Sequence, residues 1–95
     1  MKHGILLHEP KDDVGVAVAD LKKGSSIGAV TLEGKRAGSV KLLNNVPLGH
    51  KVAMRDIARD QPVIKYGHAV GKAVQPISRG AHVHTHNVKS LRWSL

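Results

Sequence analysis

Ninety-five residues make one domain, and with one Tyr, one Trp and no Phe the core has to be built from Val, Ile, Leu and Ala. The absence of cysteine excludes disulfides, thiol nucleophiles and thiolate metal clusters, and no apolar run approaches the roughly 20 residues of a membrane-spanning helix. The net charge of +8 attracts anions, but nucleic-acid binders pair a basic groove with stacking aromatics, and two aromatic residues argue against nucleic acid as the partner.

In chain order, short apolar or alternating runs predict strands at residues 4–8, 14–20, 27–33, 38–43, 51–57, 63–66, 69–74 and 81–88. The third and fourth read as a hairpin around Gly34-Lys35-Arg36. Ten glycines and four prolines cut the chain into these pieces. Helical periodicity is missing, with room for one turn at 52–59. The expected class is all-β, with at most one or two helical turns.

One unit recurs. Leu21-Lys-Lys-Gly24-Ser-Ser-Ile27 reads apolar-x-x-Gly-x-x-apolar, and Val46 to Val52 around Gly49 and Ile77 to Val83 around Gly80 repeat it. Ile57 to Val63 is the same with Asp60 at the centre. Asp, like Gly, tolerates left-handed backbone, so each unit predicts a strand end, a tight turn and a new strand start. The spacing is too irregular for a solenoid.

A chain this short buries only about 60–65 % of its unfolded surface. So thin an aliphatic core favours an obligate partner or a homo-oligomer. The tail 89–95 carries Trp93, which suits a docking surface or a core plug equally. With no signal-peptide pattern at the N-terminus, the expectation is a soluble cytoplasmic protein.

The charge is uneven. Residues 48–95 hold eight Lys/Arg against two Asp/Glu, and five of the seven histidines. Three of those lie in His82-Val83-His84-Thr85-His86-Asn87. On a strand all three imidazoles project from one face, about 7 Å apart, while Val83 and Thr85 point the other way. Histidine ligates metals and titrates near neutrality, and two histidines at i, i+2 can share one ion. A third ligand would come from His82, His68 or His50, or from a partner subunit, which is the favoured source.

Gly49-His50-Lys51-Val52-Ala53, then Val63-Ile64-Lys65-Tyr66-Gly67 with Gly71-Lys72-Ala73, then Val83-His84-Thr85-His86-Asn87-Val88, together with Asp12-Asp13-Val14, resemble the small domain of the altronate/galactarate dehydratase family over most of residues 8–90. The resemblance implies a SAF-like β-clip domain spanning residues 1–95. It also implies the role of small subunit in a lyase that dehydrates an anionic sugar acid, with a separate large catalytic subunit and no membrane. The small subunit of sulfolactate sulfo-lyase is a similar alternative, and a non-enzymatic β module binding small anions or a protein is another. The chain departs from the family pattern at Asp13, where Asn is common, and at His68, where an acid is common.

Dehydration removes a proton α to a carboxylate and expels hydroxide from the β carbon, which asks for a base, an acid and a positive centre. On the resemblance, His84, His86 and Asn87 are the candidate catalytic residues. His84 and His86 suit a divalent metal, iron or another transition metal, or proton transfer, and Asn87 suits orienting them. His50 and Lys51, just after a tight turn, suit the carboxylate of a small hydroxy-acid substrate. Lys65 and Arg55 suit a second anionic group.

Overall fold

The four recurring units are four copies of one backbone device in the computed structural model, which describes residues 3–65 and 68–90. Their centres all have positive φ: 88° at Gly24, 86° at Gly49, 71° at Asp60 and 89° at Gly80. The apolar residue that opens one unit is bridged to the one that opens another, Leu21 to Val46 and Ile57 to Ile77. Two reciprocal backbone hydrogen bonds of 2.8 Å close each bridge. The side chain before a bridge then caps the opposite turn. Asp20 Oδ1 accepts from the Leu48 N–H and Asn45 Oδ1 from the Lys23 N–H, both at 2.9 Å, and Asp56 Oδ1 accepts from the Arg79 N–H at 2.8 Å.

Between these turns run nine short strands among the described residues: β1 (His3–Leu7), β2 (Val14–Ala17), β3 (Ser26–Thr31), β4 (Arg36–Lys41), β5 (Lys51–Ala53), β6 (Pro62–Lys65), β7 (His68–Ala73), β8 (His82–Val83) and β9 (Val88–Ser90). They form a six-stranded sheet in the order β4-β3-β1-β2-β5-β8 and a three-stranded sheet in the order β6-β7-β9. β1 and β3 are parallel; the other pairings are antiparallel. The described residues contain no helix, so the all-β expectation holds and the architecture is that of a small SAF-like β domain.

Four expectations are corrected. The run 14–20 pairs only to Ala17, and 51–57 only to Ala53. No helical turn forms at 52–59, because the chain leaves β5 through a bend at Met54 and Arg55 and enters the Ile57 bridge. The run 81–88 is not one strand. It pairs for two residues and then turns. Trp93 and the end of the 63–66 run lie outside the described residues.

The core is aliphatic and divides in two. One cluster gathers Ile5, Leu7, Leu42 and Val52 around the Leu21–Val46 bridge; the other gathers Val14, Val63, Ala73 and Val83 around the Ile57–Ile77 bridge. The opening residue of every turn unit is therefore also a core anchor, each 5 % exposed or less. Burial of such a side chain contributes about 1.5–3 kcal/mol, which ties the turns to the hydrophobic interior. Gly80 is held most tightly of the turn centres. A Cβ there would overlap the Lys41 carbonyl oxygen, whereas one on Gly24 or Gly49 would meet open space.

Candidate functional site

Two of these turns deliver histidines. The Gly49 turn ends at His50, directly before β5, and the Gly80 turn leads into His82, the first residue of β8. β5 and β8 pair antiparallel with Lys51 opposite Val83 and Val52 opposite His82. One step further along that register sets His50 across from His84.

The turn after β8 is closed by Asn87, which is 4 % exposed. Its Oδ1 accepts from the His84 N–H at 3.0 Å, and its Nδ2 donates to the His82 carbonyl at 2.8 Å. The His84 carbonyl accepts from the Asn87 and Val88 N–H groups, both at 3.1 Å. On the outer side, the His82 N–H donates to Asn44 Oδ1 at 3.0 Å. The β5–β8 register thus brings His50 to His84, and the turn closed by Asn87 brings His86 back beside His82. The single strand face expected for His82, His84 and His86 does not form, because β8 ends at Val83.

The rings form a stack. Centroids lie 4.2 Å apart for His50–His84, 5.0 Å for His50–His82 and 5.8 Å for His82–His84, with interplanar angles of 22° or less. His86 packs on His82 at 5.2 Å and 38°. His50 Nδ1 and His82 Nε2 are 2.8 Å apart, so one of the two carries a proton and the other is bare. His82 is held below the ordinary imidazole range, first by burial and then by the neighbouring charges of His50, His86 and His84. Among the described residues, His50, His82 and His84 are the group whose ligand nitrogens all fall within 4.8 Å of one another.

Beside this stack opens a cleft of about 520 Å³, lined by Lys51, Lys65, His84, Thr85 and the valines 16, 63, 70, 83 and 88. His84 belongs to both the stack and the cleft. Lys65 is 5 % exposed and Lys51 half-buried, so the cleft brings two lysines together with an apolar wall. Arg55 sits elsewhere. Its Nε pairs with Asp13 Oδ1 at 3.2 Å and its Nη2 donates to the Asp12 carbonyl at 3.4 Å. Asp13 Oδ2 also accepts from the Ile64 N–H at 2.8 Å, so this pair joins the start of β2 to β6. His68 stands opposite Lys65 in the β6–β7 register.

Sequence reasoning gave His82 only as an optional third ligand, yet it touches His50, His84 and His86. Its membership of the same i, i+2 series was the available signal. Its contact with His50 depends on a pairing 32 residues apart.

Residues 3–91 match the family described as the altronate/galactarate dehydratase SAF domain. The chain belongs to that family. It is similar to the (2R)-sulfolactate sulfo-lyase subunit alpha of Chromohalobacter salexigens, 38 % identical over 98 % of this chain and 100 % of the relative. It is also similar to the altronate dehydratases of Bacillus subtilis (34 % identical over 95 % of this chain) and Escherichia coli (42 % over 83 %), spanning only 17 % and 15 % of their lengths. The family's SAF domain thus accounts for the whole of one relative and a small part of the others. No helix among the described residues is long and apolar enough to cross a membrane.

Proposed function

We propose that this chain is the small subunit of a lyase that works with a separate large catalytic subunit on a small anionic hydroxy acid, by dehydration of the altronate/galactarate type. The observation that carries the reading is the family's SAF domain holding a stacked histidine group that shares His84 with a cleft bearing Lys51 and Lys65. Two lysines together with an apolar wall attract a carboxylate or sulfonate and strengthen its pairing by limiting water. In the His50–His82 hydrogen bond the donor ring's other nitrogen is bare, and that nitrogen would accept the proton while the bond orients the pair. Asn87 fixes the turn from which His82 and His84 project. His86, packed on His82, is the further candidate for proton transfer.

The implied cofactor is a divalent metal, iron or another transition metal. The donor set suits it, since imidazole nitrogens favour such ions over calcium or magnesium. When bound by this histidine group, it would polarise an oxygen of the substrate as a Lewis acid. That the pair works in the cytoplasm belongs to this proposal.

A second reading, the sulfo-lyase one, is supported by the 38 % identity that runs the full length of a sulfo-lyase alpha subunit. Thr85 is the only hydroxyl among the described residues lining the cleft, which suits a short sulfonate better than a polyhydroxy chain. Reconstitution with the large subunit, followed by turnover of altronate, galactarate and (2R)-sulfolactate, separates the two. In the active pair, His84→Ala and His86→Ala should each lower turnover on the order of 10²-fold. If both leave turnover and metal content unchanged, the chain acts as a non-enzymatic anion- or protein-binding module.

A further inference from the structure

We infer that His50, His82 and His84 form a three-imidazole site for one divalent transition-metal ion on this chain itself, and that its remaining coordination position takes a small oxyanion, carboxylate or sulfonate, from the adjoining cleft. This deepens the lyase reading and rests on it for the identity of the natural anion, but the metal site stands on geometry.

The ligand nitrogens are gathered within 4.8 Å of one another, and His50 and His82 are already at 2.8 Å. A transition metal bound at about 2.1 Å needs its nitrogens about 3–3.5 Å apart, and His84, the exposed member, has the most room to turn toward that spacing. The backbone beneath the rings needs no rearrangement. His82 is pinned by Asn44 and Asn87, His84 by Asn87, and His50 by its turn and the adjoining β5–β8 register. A site on paired strands and a side-chain-closed turn meets the requirement that ligand positions be held by their surroundings.

Charge decides what completes the site. Among the described residues no carboxylate joins the histidine group. The cations nearest along the cleft are Lys51 and Lys65. An ion of charge +2 on three neutral ligands has no counter-charge from this group, so the open position favours an anion. A cleft of about 520 Å³ is sized for a small molecule, and His84 places the metal at its wall.

The test uses the full chain without an affinity tag, titrated with Co(II) and followed by visible absorption. One equivalent should bind. His50→Ala, His82→Ala and His84→Ala should each weaken binding about tenfold or more, while His86→Ala keeps it; circular dichroism checks that each variant is folded, and His82→Gln replaces any that is not. Acetate and methanesulfonate should each shift the cobalt spectrum, chloride less so, and Lys51→Ala should weaken that response without changing cobalt affinity. Binding lost in His86→Ala but kept in His82→Ala overturns the ligand set. No binding means that the stack is only hydrogen-bonded imidazoles. Binding with a spectrum blind to both anions overturns the oxyanion position. A chain that supports turnover with the large subunit yet binds no metal alone overturns this site and leaves the lyase reading standing.

Discussion

The two bridged turn pairs use the same backbone and differ in how completely it is capped. At Leu21–Val46 both turns receive a side-chain cap from across the bridge, Asp20 to Leu48 and Asn45 to Lys23, and both centres are glycine. At Ile57–Ile77 only Asp56 reaches across, to Arg79. The reciprocal position is Pro76, which has no acceptor on its side chain to reach Arg59; one residue earlier, Gln61 Oε1 accepts locally from the Ala58 N–H at 2.8 Å. One centre there is Asp60, at φ 71°. The candidate site takes one turn from each pair, Gly49 from the first and Gly80 from the second. The turn device is thus indifferent to function. What stands one or two residues after its centre decides the use: Ser25 and Ser26 after Gly24, His50 after Gly49, and His82 after Gly80.

The sharpest break between equivalent turns is expected at their centres. Gly80→Ala combines positive φ with overlap on the Lys41 carbonyl and should cost about 3 kcal/mol or more. Gly24→Ala, at nearly the same φ but facing open space, should cost only about 1 kcal/mol. Urea denaturation of both variants measures the difference, and equal losses would show that the Lys41 contact does not matter. Next comes Asn87→Ala, which strips the partners from the His82 carbonyl and the His84 N–H. A loss of about 2 kcal/mol is expected, together with weaker Co(II) binding. Normal cobalt affinity in a destabilised variant would separate the turn from the site.

Asp60→Gly should bring the second pair closer to the first. Relief at a left-handed position gives about 0.5–1 kcal/mol of stabilisation, and the exposed Lys72 pair at 3.9 Å that it gives up contributes little. A lower denaturation midpoint would count against this. The smallest effect is pH-linked. Because the His82 pKa is lowered in the folded state, the unfolded chain binds more protons between the folded value and about 6.5. Stability should therefore rise with pH through that window and be lost as pH falls below it. His50, His84 and His86 face the group, and His82→Gln should flatten the slope. An unchanged slope in thermal melts from pH 7 to 5 would remove His82 from the account.

The turn centres were legible in the sequence, Asp60 included, because positive φ restricts residue type and the flanking apolar positions mark the core. The turn at 84–87 was not. Alternating His, Val and Thr satisfies a period of two as well as a real strand does, and only the side chain of Asn87, bonding back to residue 84, ends the pairing. Asn as a local competitor for backbone groups was the available clue. The His50–His82 contact and the Arg55–Asp13 pair depend on strand registers between distant segments, which no local pattern carries.

The edges of the two sheets carry a consequence for life at high concentration. In the six-stranded sheet, β8 offers only two residues to a neighbour. At the other edge β4 opens with Arg36, closes with Lys41 and is kinked by Gly38 at φ 94°. In the smaller sheet, edge strand β6 begins with Pro62, which has no N–H to donate. Unpaired strands of an aliphatic protein are templates for aggregation, and brevity, charge, distortion and proline each blunt one. A chain whose described regular structure is all strand thereby leaves its neighbours little backbone to copy.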